Sequence, residues 1–223
     1  MGYNIAIDGP AGAGKSTIAK LVAKELGFIY VDTGAMYRGL AVHFLKKGIV
    51  PGEVEKIEAA CKDAKVELGY ENGVQQVYLN GENITSQLRE EAVGNMASVS
   101  SAVPAVRAKL LDLQRNLAKE KDVVMDGRDI GTNVLPNADV KIFLTASAES
   151  RAKRRYDELC EKGIECDFEK IKADMEYRDK NDSQRAVAPL KKADDATLID
   201  TTEYDFDGAV KLVKDLILEK TEG

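Results

Sequence analysis

Tryptophan is absent from this 223-residue chain, histidine occurs once and cysteine three times. With 8 tyrosines and 5 phenylalanines as the remaining aromatics, there is little material for a platform that stacks single-stranded bases. A single histidine excludes histidine-rich metal chemistry. The cysteines, Cys61, Cys160 and Cys166, are odd in number and form no Cys-x-x-Cys pair, which argues against a disulfide frame or a zinc site. Buried or inert thiols are expected. No apolar run is long enough to cross a bilayer, and Gly2-Tyr3-Asn4 lacks the basic and apolar blocks of a signal peptide. A cytoplasmic protein without membrane contacts is expected. Positive charge is also in deficit. Thirty-two bases against 38 acids leave a net charge of −6, so no nucleic-acid groove is expected.

What is present is an ordinary folded composition, 44% apolar and 31% charged, enough for one generous domain. Short apolar runs recur at Asn4 to Asp8, Phe28 to Asp32, Asp122 to Asp126, Val140 to Leu144 and Thr197 to Asp200. Helix-length sequence separates them, which is the pattern of a parallel sheet buried on both faces. The closing helix, from Asp205 to about Glu219, is expected to carry Phe206, Ala209, Val210, Val213, Leu216 and Ile217 on one face. The reading is a doubly wound α/β core of about five strands. One stretch breaks the rhythm. From Lys65 to Thr85 the apolar residues alternate, as Val66, Leu68 and Tyr70 and then Val77 and Leu79, with Asn72-Gly73 and Asn80-Gly81 as turns. Asn-Gly between two such runs is a hairpin signal, so a small antiparallel sheet is inserted between the second and third core strands. Helices from about Ser86 to Lys119 lead back to the core.

The first run breaks into Gly9-Pro10-Ala11-Gly12-Ala13-Gly14-Lys15-Ser16, which fits Gly-x-x-x-x-Gly-Lys-Ser, the P-loop. Four such positions match by chance in roughly one chain in a hundred of this length, and the flanking strand and helix supply the required context. Glycines let the backbone wrap a phosphate. Lys15 is expected across the β- and γ-phosphates and the Ser16 hydroxyl on Mg²⁺. A P-loop implies a bound nucleoside triphosphate and leaves the fate of its γ-phosphate open.

Three further clusters bear on that. Asp32-Thr33-Gly34-Ala35-Met36-Tyr37-Arg38 follows the second strand at its carboxyl end, where ligands of such sheets bind. Thr33 suits a helix cap as well as a ligand contact, and the Arg38 fork suits a phosphate. Asp126-Gly127-Arg128-Asp129 ends another core strand, with Asp126 placed like the acid that holds the Mg²⁺ water shell. In Tyr177 to Arg185, the residues Arg178, Asp182 and Arg185 have spacings of four and three, so a helix would put them on one face. Taken alone, that run reads as a solvated charged face, and so do Arg151, Lys153, Arg154 and Arg155. Arginines after successive core elements of an acidic protein favour an anionic substrate. A P-loop regulatory GTPase would carry an Asn-Lys-x-Asp element, and none occurs. His43 lies within a helix, where packing is its expected role.

Together with Asn95-Met96-Ala97-Ser98, Pro104-Ala105-Val106-Arg107 and Arg185-Ala186-Val187-Ala188-Pro189-Leu190, these motifs resemble the bacterial cytidylate (CMP) kinase family from about Asn4 to Thr202. The resemblance implies a P-loop three-layer α/β/α fold with a five-stranded parallel sheet, an inserted small antiparallel β-sheet and a short helical lid. It implies a core of residues 1–36, 108–147 and 186–223, a monophosphate-binding region of about 37–107, and a lid with its following helix over about 148–185. It implies transfer of a phosphoryl group from ATP to CMP and dCMP, with Mg²⁺. ATP is expected on Gly9 to Ser16 and Thr17. The residues matching Arg38, Arg128 and Arg185 are expected on the CMP phosphate. Ser98, Arg107 and Asp129 are expected on cytosine, and Arg178 and Asp182 on the ribose. Thr33 stands where many members have Ser. Lys15, Arg128 and Arg185 are the expected catalytic charges, Ser16 and Asp126 (through water) the magnesium residues, and Arg154 and Arg155 the lid arginines. A monomer is expected.

Overall fold

Asn4, Ile5, Ala6, Ile7 and Asp8 form the first strand, and the three central side chains are fully buried. Burial on both faces is why the run is apolar throughout instead of alternating. The computed structural model describes residues 2–222, without the side chains of residues 206, 221 and 222. Its elements run β1 (Asn4–Asp8), α1 (Lys15–Leu26), β2 (Ile29–Asp32), α2 (Thr33–Lys46), α3 (Val54–Asp63), β3 (Val66–Glu71), β4 (Val74–Leu79) and β5 (Glu82–Asn83). A 3₁₀ turn at Thr85–Arg89 leads into α4 (Glu91–Ser100), α5 (Pro104–Glu120), β6 (Val123–Gly127), a π turn at Ile130–Val134 and β7 (Val140–Thr145). The chain closes with α6 (Ala148–Glu161), α7 (Phe168–Gln184), β8 (Thr197–Asp200) and α8 (Phe206–Glu222). Five strands form a parallel sheet in the order β2-β6-β1-β7-β8, and three form a separate antiparallel sheet in the order β3-β4-β5. Both sheets match the periodicity reading.

The chain divides into two compact units, one of Ile29–Val123 and the other of Tyr3–Phe28 with the residues from Val124 onward. In the second unit, β1 pairs β7 with Ile5 opposite Val140 and Ile7 opposite Ile142, and β7 pairs β8 with Leu144 opposite Ile199. Helices α1 and α8 pack on each other, with α1 against β1 and α8 against β7. Ile18, Val22, Val213 and Ile217 are buried there. Because β6 and β7 flank β1 on opposite sides, their carboxyl-end loops all open at one end of the sheet. This is the switch-point crevice where open α/β sheets bind ligands.

In the first unit, α2 packs against α4, α5 and the small sheet. Gly39 makes the close approach possible, since a Cβ there would lie 3.1 Å from Val77 Cγ1. The hairpin turns carry the backbone their sequence demands. Asn72 and Gly73 have φ of 52° and 76°, and Asn80 and Gly81 have 51° and 86°, the paired left-handed residues of a tight two-residue turn. His43 is buried on α2 with Nε2 3.2 Å from the Ala60 carbonyl. Burial, and next the Lys47 charge, hold its pKa below the usual value. It is a packing residue, as expected. Cys61 is buried and Cys166 half-buried, but Cys160 is exposed, because it lies in the last turn of α6 beside solvent.

Candidate active site

The loop from Gly9 to Gly14 follows a path that its glycines make possible, with φ of 152° at Gly9, 75° at Gly12 and 83° at Gly14. A Cβ on Gly9 would stand 1.9 Å from the Leu144 carbonyl oxygen. Gly14, the N-cap of α1, has φ 83°, so the helix starts with its free N–H groups and positive dipole end at the loop. Lys15 is buried, and its Nζ donates to the Pro10 carbonyl at 2.7 Å. Burial first, and the nearby Arg128 charge second, pull its pKa down to about 7, against the opposing effect of Asp126, Asp8 and Asp182. Ser16 Oγ donates to Asp126 Oδ2 at 2.8 Å. The two magnesium residues expected from sequence are therefore direct partners. Thr17, next in α1, is exposed.

Asp8 ends β1 and is almost fully buried. Its two carboxylate oxygens accept from the backbone N–H groups of Ile130 and Gly131 at 2.8 and 2.7 Å. Burial is the main reason its pKa rises to about 6. It seats the loop that carries Arg128 and Asp129. Asp8 is absent from the residues expected at the site, although a lone acid ending a fully buried apolar strand is a usable signal, since such a group requires partners.

Arg128, Asp129, Asp182 and Arg185 come together. Arg128 Nε donates to Asp182 Oδ2 at 2.9 Å, and Arg185 Nη2 meets Asp129 Oδ1 at 3.3 Å and Nη1 meets Asp182 Oδ1 at 3.8 Å. Asn133 Nδ2 also donates to Asp129, at 3.1 Å. One expectation needs correcting. Arg185 does not share a helical face with Arg178 and Asp182, because α7 ends at Gln184 and Arg185 is extended, with φ −63° and ψ 142°. Its Nε donates to the Ala188 carbonyl at 2.6 Å, and Leu190 N–H returns to the Asp182 carbonyl. This folded-back loop, not helical spacing, brings it to Asp182. Arg178 lies half-buried on α7.

The basic residues of α6 are not equivalent, despite their uniform look in sequence. Arg151 is buried and donates to the Ala146 carbonyl at 2.9 Å, the P-loop Ala11 carbonyl at 2.8 Å and Asp179 on α7 at 2.6 Å. Arg154 donates to the Thr201 carbonyl at 2.6 Å and the Tyr204 carbonyl at 3.2 Å. Arg155 pairs with Glu158 in solvent.

In the first unit, Asp32 caps α2. Its carboxylate accepts from Ala35 N–H at 2.8 Å and from Arg38 Nη2 at 2.9 Å. The capping role that suited Thr33 is taken by its neighbour, and Thr33 is buried at the helix start. Arg107 on α5 is buried, donates to the Ser101 carbonyl at 3.3 Å and lies over the Tyr37 ring, 5.5 Å from its centroid. Ser98 is half-buried on α4. Among the described residues, no group of three His, Cys, Asp or Glu side chains could hold a metal ion. No helix among them is long and apolar enough to cross a membrane.

A family model described as cytidylate kinase matches residues 5–219. The cytidylate kinase of Caldicellulosiruptor saccharolyticus is 50% identical over 213 residues, 96% of this chain and 94% of that protein. The cytidylate kinase of Anoxybacillus flavithermus is 48% identical over 220 residues, 99% and 98% of the two chains. The crystal structure of an uncharacterized protein from Eubacterium ventriosum shares the fold, with a TM-score of 0.52 at 14% identity over 99% of each chain.

Proposed function

Since the chain belongs to the cytidylate kinase family and phosphorylates CMP with ATP, we propose how its residues divide that work and that dCMP is a second acceptor. Transfer between two nucleotides needs in-line placement and positive charge more than covalent chemistry from the protein. The observation that carries the assignment is the Asp8 carboxylate. It ties the strand feeding the P-loop to the loop bearing Arg128 and Asp129 through two main-chain hydrogen bonds.

Gly9 to Thr17 hold the ATP phosphates, and Lys15 leaves the Pro10 carbonyl to lie along the β- and γ-oxygens. Ser16 and Asp126 are two hard oxygen donors in contact, a set that fits Mg²⁺ with some of its water shell retained. When bound, the ion adds positive charge at the phosphate oxygens. Arg128 and Arg185 take the acceptor phosphate, each held in place by Asp182, and Arg38 is assigned to the same phosphate. Arg178 and Asp182 face the ribose. The phosphate and base contacts do not involve the 2′-hydroxyl, so dCMP keeps all of them and loses at most a ribose contact to Arg178 or Asp182, which supports it as a substrate. Helices α6 and α7 act as a lid that keeps water from the transferring group, with Arg154 and Arg155 on its first helix. The enzyme works as a monomer in the cytoplasm.

Base choice rests on Asp129, Ser98 and Arg107. Cytosine offers an amino donor at N4 and acceptors at N3 and O2. A carboxylate has about four acceptor sites, so Asp129 keeps Arg185 and Asn133 while accepting from N4. Uracil would set an oxygen against that carboxylate and an N–H against the Arg107 guanidinium. The test is ADP release with CMP, dCMP and UMP, in wild type and Asp129→Ala. The expected result is a large CMP preference over UMP, dCMP close to CMP, and a narrowed CMP-to-UMP ratio in the variant. An unchanged ratio means that Asp129 serves only to hold Arg185.

A further inference from the structure

We infer that Gln75, on the inserted sheet, is a positioning residue for the acceptor nucleotide that acts through Asp32 on Arg38. The inference rests on the assignment of Arg38 to the acceptor phosphate. Strand β2 ends the order of the parallel sheet, so the main-chain groups on its outer side have no strand neighbour. Such groups need partners. Two side chains supply them. Asp32 N–H donates to Gln75 Oε1 at 2.9 Å, and Gln75 Nε2 donates back to the Asp32 carbonyl at 3.2 Å. Tyr70 Oη donates to the Tyr30 carbonyl at 3.2 Å. A primary amide carries the donor and acceptor of a peptide group. Gln75 therefore pairs with Asp32 much as a neighbouring strand would.

Tyr70 and Gln75 are opposite each other in the β3–β4 register, so they lie on one face of the hairpin. Val66, Val77 and Leu79, in phase with them, are buried. Gln75 is thus a polar residue in phase with an apolar face, and its partner accounts for it. Burial of the hydroxyl raises the Tyr70 pKa to about 12, so it stays a donor at all working pH values.

The consequence lies one bond further on. The carboxylate of Asp32 caps α2 and holds Arg38. The Arg38 and Asp32 side chains are 33% and 23% exposed, and a solvent-facing ion pair has little power to hold a long side chain alone. With both main-chain groups of Asp32 clamped, its carboxylate has a fixed origin and the guanidinium is preorganised. The inserted sheet thereby acts as a brace for the acceptor arginine.

A merely structural Gln75 would affect melting temperature and both substrates alike. The experiment measures KM for CMP and for ATP, kcat and melting temperature in wild type, Gln75→Met, Arg38→Met and the double variant. Gln75→Met should raise KM for CMP by about three- to tenfold, the worth of one or two neutral hydrogen bonds, with KM for ATP unchanged. In the Arg38→Met background the same change should have no further effect on KM for CMP. Gln75→Leu, which removes the donor and the acceptor without adding charge, should give the same rise and serves if the Met variant does not fold. A rise in KM for CMP with Arg38→Met but none with Gln75→Met overturns the inference alone, as do equal effects in both backgrounds. No change with Arg38→Met overturns the Arg38 assignment and the inference with it.

Discussion

ATP binding should draw a proton into the enzyme above neutral pH, and Lys15 is the reason. The residue is 4% exposed, and its Nζ rests on the Pro10 carbonyl. Burial, with Arg128 adding repulsion, lowers its pKa from 10.5 to about 7. Bound phosphates reverse the balance, because their charge favours the protonated lysine. At pH 8 a pKa of about 7 leaves the free enzyme roughly ten to one deprotonated, so binding takes up about 0.9 proton. The same ratio weakens apparent ATP affinity on the order of tenfold relative to a fully protonated loop. The sign follows from the direction of the shift: a depressed lysine pKa removes charge as pH rises through 7, and affinity falls with it. Calorimetric titration of wild type with magnesium ATP at pH 8, in buffers of differing ionisation enthalpy, reads the uptake as the slope of heat against buffer enthalpy. Lys15→Met should show none. A slope near zero in wild type, or equal slopes in both proteins, refutes the reasoning.

Arg128→Ala and Arg185→Ala should each raise KM for CMP roughly ten- to hundredfold, the range of a charge-assisted hydrogen bond of about 1.5–3 kcal/mol; an equal rise in KM for ATP would contradict their assignment. Asp8 should make stability fall as pH rises. With its pKa raised from 3.8 to about 6, its contribution is fully present below pH 3.8 and is lost through pH 6. The difference, 6 − 3.8, is worth up to about 3 kcal/mol. Urea unfolding at pH 4.5 and 7 should show a larger loss in wild type than in Asp8→Asn, and matching losses would count against the buried carboxylate. Arg151→Lys keeps the charge but cannot span the Ala146 and Ala11 carbonyls and Asp179 together; steady-state kinetics should show a higher KM for ATP with KM for CMP less affected, and an unaltered KM for ATP would rule out Arg151 as a brace of the P-loop.

Much of this enzyme was legible in its residues alone. The five apolar runs became the five parallel strands because burial on both faces demands continuous apolar sequence. The two Asn-Gly pairs became turns because their left-handed backbone is a local property. The P-loop pattern was readable for the same reason: Gly9, Gly12, Gly14, Lys15 and Ser16 stand within eight consecutive residues.

Partnership was not legible. Asp8 seats a loop 122 residues away, Arg128 meets Asp182 across 54 residues, and Gln75 reaches Asp32 across 43. Nothing near any of them in the chain names the other. Arg151 and Arg155, four residues apart on one helix, look alike in sequence, yet one is buried on the P-loop and the other pairs in solvent. Thr33 and Asp32 are both good capping residues, and Asp32 holds the position with its main chain clamped by Gln75. Periodicity reports which face of an element is buried. Which charges meet is decided by strand order and loop path, because burial makes a charged group find a partner wherever the fold brings one within about 3 Å.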